Sequence, residues 1–82
     1  MSWFVYILKC ADETLYTGIT TDCDRRLKEH NNGTGAKYTR VRLPVNMVYR
    51  ETQSSRSDAS KREYQIKKLS RLNKLKLIGQ AQ

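Results

Sequence analysis

Two phenols, an imidazole, a guanidinium and a carboxylate stand out in this chain as groups able to do chemistry. Tyr6, Tyr16, Arg26 and His30 fall within the first thirty residues together with Gly18, and Glu63 arrives much later. Phenols and imidazoles move protons. A guanidinium matches phosphate in charge and shape. A carboxylate on an inward helix face must be paired, bind a metal or stay partly solvated. The spacings permit one shared pocket. Taken singly, each residue has a plainer role. Strand tyrosines usually pack, a lone arginine is usually solvated, and a histidine near a helix end usually complements the dipole. A strand glycine usually marks a bulge, and Ser60-x-x-Glu63 matches a capping box.

The elements that must position these groups can be read in order. Trp3-Phe4-Val5-Tyr6-Ile7-Leu8 is a continuous apolar run of β-formers, which predicts a central strand covered on both faces. Ala11-Asp12-Glu13 predicts a turn, and Thr14 to Thr20 a second strand paired with the first as a hairpin. If Cys10 pairs with Thr14, Leu8 lies opposite Tyr16 and Tyr6 opposite Gly18. Tyr6, Tyr16 and Gly18 then share one face, and Gly18 leaves space beside the Tyr6 ring. Thr21 or Asp22 is the expected N-cap of a helix running to about His30, ended by Asn31-Asn32-Gly33. Arg26 and His30, four residues apart, are neighbours on it. They fall at the edge of the buried stripe marked by Cys23 and Leu27, so both are expected to reach a cleft without full burial.

Residues 31–44 read as a long basic loop. Lys37, Tyr38 and Arg40 suit phosphate contacts and base stacking. Val45 to Arg50 alternates and predicts a third strand with one face inward, broken at Gln53-Ser54-Ser55. A helix is expected from about Ser55–Ser57 to Leu69, with Ala59, Ile66 and Leu69 as its stripe and Glu63 on that inward face. Leu72, Leu75, Leu77 and Ile78 suggest a short last helix. The fold class is therefore α/β in the α+β sense, a small three-stranded antiparallel sheet flanked by helices, in one domain over residues 1–82.

Charge narrows the partner. The 82 residues carry 16 lysines and arginines against 8 acids, a net charge of +8. After Glu63 there is no acid, while Lys67, Lys68, Arg71, Lys74 and Lys76 follow. The balance implies a polyanion, most simply nucleic acid. No segment approaches the roughly 20 apolar residues of a membrane span, and Met-Ser-Trp-Phe lacks the features of a signal peptide. The expected location is the cytoplasm. Cys10 and Cys23 form no CxxC pair and read as ordinary buried thiols.

In this order and spacing the residues resemble the GIY-YIG nuclease superfamily. Phe4-Val5-Tyr6 corresponds to the first signature element and Tyr16-Thr17-Gly18 to the second. Arg26 and His30 match the arginine and histidine of the family's first helix, and Glu63 the glutamate of a later one. Leu15 to Thr20, Gly35-Ala36-Lys37-Tyr38-Thr39-Arg40, and Arg62-Glu63 through Ile66-Lys67-Lys68-Leu69 are similar to the small stand-alone bacterial proteins of that superfamily. Phe4, Val5 and Thr17 depart from the signature at positions of strand packing.

The resemblance implies a GIY-YIG-like sandwich and a Mg²⁺- or Mn²⁺-dependent endonuclease. Glu63 would hold the metal, Arg26 would clamp a phosphate oxygen, and Tyr6 would orient or deprotonate the water. Tyr16 and His30 would position groups or share proton traffic. Gly18, Lys37, Tyr38, Arg40, Lys67 and Lys68 are the expected nucleic-acid contacts. DNA is favoured over RNA, with low sequence specificity and a role in repair or recombination, and a larger repair protein is a candidate partner. The alternative is a non-catalytic nucleic-acid-binding module on the same fold.

Overall fold

The structure, a computed structural model, describes residues 2–80. Seven elements follow in order: β1 (Trp3–Lys9), β2 (Leu15–Thr20), α1 (Cys23–Asn31), α2 (Lys37–Arg40), β3 (Asn46–Gln53), α3 (Arg56–Lys67) and α4 (Arg71–Gln80). The sheet is antiparallel with order β2-β1-β3. The apolar run thus forms the central strand, and Val5, Tyr6, Ile7 and Leu8 are all buried. The hairpin register pairs Leu8 with Tyr16 and Tyr6 with Gly18. Its turn is held by Cys10 N–H to Thr14 carbonyl (2.9 Å) and by Asp12 Oδ1, which accepts from Thr14 N–H (3.1 Å) and its hydroxyl (2.6 Å).

Side chains alternate across β1 and so divide the core. Val5 and Ile7 pack with Ala59 and Ile66 of α3 on one face. Tyr6 and Leu8 face the other way, into a cluster with Cys10, Val45, Tyr16, Leu27, Leu43 and Met47. Both cysteines are buried free thiols. Asp22 caps α1 through Arg25 N–H, and Ser55 caps α3 through Asp58 N–H. Ser60 therefore lies inside α3, and its match to a capping box has no structural counterpart. Among the described residues, no helix is long and apolar enough to cross a membrane.

Three features differ from the sequence expectation. Residues 31–44 are not one open loop, because α2 interrupts them. Asn31 anchors the far end, accepting from Val45 N–H (2.8 Å) and donating to its carbonyl (3.0 Å). The third strand does not alternate cleanly: pairing shifts between Ile7↔Tyr49 and Leu8↔Met47, which leaves Val48 as the extra residue of a bulge. Val48 and Tyr49 consequently both pack on the α3 side, and Met47 on the other. Finally, β3 continues through Glu51, Thr52 and Gln53, paired with Val5, Phe4 and Trp3. An edge strand with one solvated face tolerates these polar residues.

Glu51 ties that extension to α3. It accepts hydrogen bonds from the Tyr49 hydroxyl, from Arg62 Nε (2.6 Å) and from Gln53 Nε2 (3.0 Å). Burial pushes its carboxyl up, but the hydrogen bonds from Tyr49 and Arg62, the Arg62 charge and Gln53 together hold it below its ordinary value. A carboxyl depressed in the folded state contributes stability above its unfolded pKa and loses it as pH falls through the folded value. Glu51→Ala is therefore expected to cost about 2 kcal/mol at neutral pH and much less in strong acid. Urea denaturation at both pH values checks this.

Candidate active site

The hairpin register puts Tyr6, Tyr16 and Gly18 on the face that α1 covers. Gly18 is needed there for space: a Cβ on it would lie 2.5 Å from the Tyr6 phenol oxygen and 2.7 Å from Cζ. Buried β-strand atoms cannot yield that much, so Gly18→Ala is expected to destabilise by about 1–3 kcal/mol and to displace the phenol. A thermal melt and the Tyr6 ring signals by NMR would record both effects.

α1 supplies the next two groups. The Tyr6 hydroxyl and His30 Nε2 are 2.9 Å apart. The Tyr16 ring lies tilted against Tyr6 (6.5 Å between centroids) and edge-on to His30 (5.4 Å). Arg26 lies beside the Tyr6 phenol and pairs with Glu29 (3.0 Å). Burial is the main force that pushes the Tyr6 phenol up to about 12, with the Arg26 guanidinium opposing it. Burial, and then the Arg26 charge, push the His30 imidazole down, with Glu29 partly opposing. At neutral pH the pair is therefore a phenol and a neutral imidazole.

His30 corrects an expectation. It does not sit at the edge of the buried stripe but is fully enclosed, at 0 % exposure. The cover comes from the segment read as a loop. Thr39 of α2 is also at 0 % exposure and places its hydroxyl 2.8 Å from His30 Nδ1. Gly35 packs against the same ring, where a Cβ would come within 2.5 Å of Nδ1. Gly35 and Thr39 are the site residues that sequence reasoning missed. They stand in the stretch Gly35 to Arg40, which drew attention only for its charges and its tyrosine.

Tyr38, also on α2, stacks on Tyr16 (5.9 Å, 25° between planes). The Arg42 guanidinium sits 4.0 Å over the Tyr38 ring. Arg42 also donates to the Tyr38 carbonyl (2.7 Å) and pairs with Asp12 (3.0 Å), clasping α2 to the hairpin turn. Lys37 and Arg40 are exposed on this same turn of helix. Arg50 of β3 lies opposite Tyr6 in the sheet, exposed and beside Cys23. It adds a cation on the site's face that the sequence reading did not single out.

Glu63 comes from α3. α3 covers the Val5 and Ile7 face of the sheet, and Glu63 lies on it one turn after Ala59. Its side chain is 23 % exposed and its carboxylate pairs with the exposed Lys67 (3.3 Å). Lys68 lies over the exposed Tyr64 ring (4.4 Å). A cleft of about 280 Å³ opens around the end of β2, with Trp3 and Thr20 in its wall, Arg26 on the α1 side and Arg56 on the α3 side.

Among the described residues, no group of three or more His, Cys, Asp or Glu side chains could by itself hold a metal ion. A lone carboxylate nonetheless suits a hard octahedral cation that keeps most of its shell as water and substrate phosphate. Glu63 fits that description: partly buried, anionic, and paired among the described residues with the exposed Lys67.

Comparison with known proteins gives this arrangement its class. The family model of the GIY-YIG catalytic domain matches residues 2–76, and the chain belongs to that family, a class of nucleases that typically use divalent metal ions. Within it, the relatives are UPF0213 proteins. One from Desulfotalea psychrophila is 62% identical over 78 residues, covering 94% of this chain and 71% of its own length. One from Staphylococcus saprophyticus is 53% identical over 77 residues, covering 94% of both chains. The solution NMR structure of the UPF0213 protein BH0048 from Bacillus halodurans is 48% identical, with a TM-score of 0.61 over 96% of this chain and 84% of that one. The solution NMR structure of EF2693 from E. faecalis is 45% identical, with a TM-score of 0.66 over 98% and 85%.

Proposed function

We propose that this protein is a Mg²⁺- or Mn²⁺-dependent endonuclease that cuts DNA by structure with little regard to sequence, in repair or recombination. The observation that carries the reading is the 2.9 Å contact between the Tyr6 phenol and His30 Nε2, with the Arg26 guanidinium beside it. A phenol near 12 is not an anion at neutral pH, but it can act as a relay. It takes a proton from the attacking water while its own proton passes to Nε2. The water oxygen bonds to phosphorus, the bond to one ester oxygen breaks, and that oxygen is protonated by solvent. Arg26 clamps a non-bridging oxygen, where charge builds up in the transition state. Tyr16, half-buried on the same face, positions the phosphate. Glu63 would hold the metal, which when bound supplies Lewis-acid charge to the phosphate.

Gly18 keeps room for the phenol. Lys37, Tyr38 and Arg40 on one side and Lys67 and Lys68 on the other contact the nucleic acid, mostly through phosphates, which carry no sequence information. The Lys67–Glu63 pair, which already engages the carboxylate, favours one second reading, a nucleic-acid-binding module without catalysis. The deciding experiment is cleavage of labelled single-stranded, duplex, flap, fork and four-way DNAs, and matching RNAs, with and without Mg²⁺ or Mn²⁺. Metal-dependent cutting of DNA supports the nuclease and names its preferred structure. Binding with no cutting under every condition supports the module.

A further inference from the structure

The Tyr6 hydroxyl lies within hydrogen-bond distance of one His30 ring nitrogen and the Thr39 hydroxyl within that of the other. The Tyr6 phenol is buried, and its hydrogen-bond partner among the described residues is His30 Nε2. Arg26, beside the same phenol, has N–H groups to give and cannot accept. The phenol proton therefore points at Nε2. A neutral imidazole has one donor and one acceptor, so Nδ1 carries the ring proton. Nδ1 faces the Thr39 hydroxyl at 2.8 Å, and that hydroxyl spends its own proton on the Ala36 carbonyl at 3.0 Å. Each group in the chain from Tyr6 to His30, Thr39 and Ala36 is then satisfied once. Running the chain backwards would leave the phenol proton with no acceptor among the described residues.

We infer that Thr39 is a positioning residue for the base: it holds His30 in the Nδ1–H tautomer, which leaves Nε2 open to receive the Tyr6 proton. The inference rests on the reading of Tyr6 and His30 as the proton-transfer pair. The oxygen of Thr39 accepts from Nδ1–H whether the ring is neutral or has taken up the second proton, so it serves both ends of the transfer. α2, a helix of 4 residues, thereby becomes part of the catalytic apparatus, and Gly35 admits the ring beneath it.

The chain has a single histidine, so long-range ¹H–¹⁵N spectra of protein labelled at histidine read this ring alone. At a pH where the ring is neutral, wild type is expected to show a protonated Nδ1 and a bare Nε2. Thr39→Val keeps the shape and removes the hydroxyl. Its ring is expected to move to a mixture of tautomers or to Nε2–H, and kcat to fall about 100-fold, within the range for general acid–base catalysis, with KM nearly unchanged. Thr39→Ser should restore both. A wild-type Nε2–H ring overturns the inference, as does a folded Thr39→Val protein that keeps its tautomer and rate, or a serine variant that restores neither. The nitrogen spectra decide the tautomer whether or not DNA is cut, so a failure of the nuclease reading would be seen separately in the cleavage assay.

Discussion

Arg26→Ala is expected to lower kcat/KM for phosphodiester cleavage by about 1,000-fold, the scale lost when a fixed charge facing the transition state is removed. Lysine should recover little of it, because an ammonium lacks the planar fork that binds two oxygens at once. The cost in stability should be small. The Arg26–Glu29 pair is half-exposed, with side chains 30% and 39% accessible, and such pairs contribute about 0–1 kcal/mol. A melt close to wild type beside a collapsed rate would separate catalysis from folding. The same substitution has a signature in pH. The Arg26 charge helps push the His30 imidazole down and opposes the rise of the Tyr6 phenol. Without it both values rise. If neutral His30 receives the proton, the residual activity of Arg26→Ala begins at higher pH than in wild type. Steady-state rates across the acid limb measure this, and an acid limb that stays in place would remove His30 from the role.

Glu63→Gln is expected to abolish metal-dependent cutting, by about 1,000-fold or more, while DNA binding is kept or slightly tightened. The amide is the same size but lacks the charge that a hard cation needs. It also releases Lys67, now paired at 3.3 Å, to face phosphate. Each added phosphate contact steepens the fall of log K with log salt by about 1. Anisotropy titrations of a labelled DNA at several salt concentrations should therefore show a slope steeper by up to that amount. Cutting that survives the amide would take the metal away from Glu63 and leave the carboxylate as the partner of Lys67.

The two halves of this picture were unequally legible in the sequence. The hairpin register followed from strand alternation and a short turn, so Tyr6, Tyr16 and Gly18 were placed on one face without coordinates. Asp22 and the four-residue spacing of Arg26 and His30 placed α1. α2 was not legible, because four residues are too few to show a helical period. The burial of His30 was lost with it, since its cover comes from Thr39 and Gly35. The bulge at Val48 leaves no mark in a strand that reads as regular alternation. Glu63 was read correctly as facing inward on α3. A helical stripe reports which side of a helix is buried, however, and not which face of a sheet the helix covers.

The central position of β1 has a consequence for how this molecule comes into being. Synthesis delivers Tyr6, Tyr16, Arg26, His30 and Thr39 before any residue of β3 exists, yet Tyr6 lies on the strand that β3 must flank. These five residues are contiguous in the gene, but the architecture that supports them is not. A chain divided near Pro44 would leave the whole cluster on one fragment and the strand and helices that bury β1 on the other. Neither fragment would hold the proton-transfer geometry alone. The cluster is thus a property of the completed sheet rather than of the segment that encodes it.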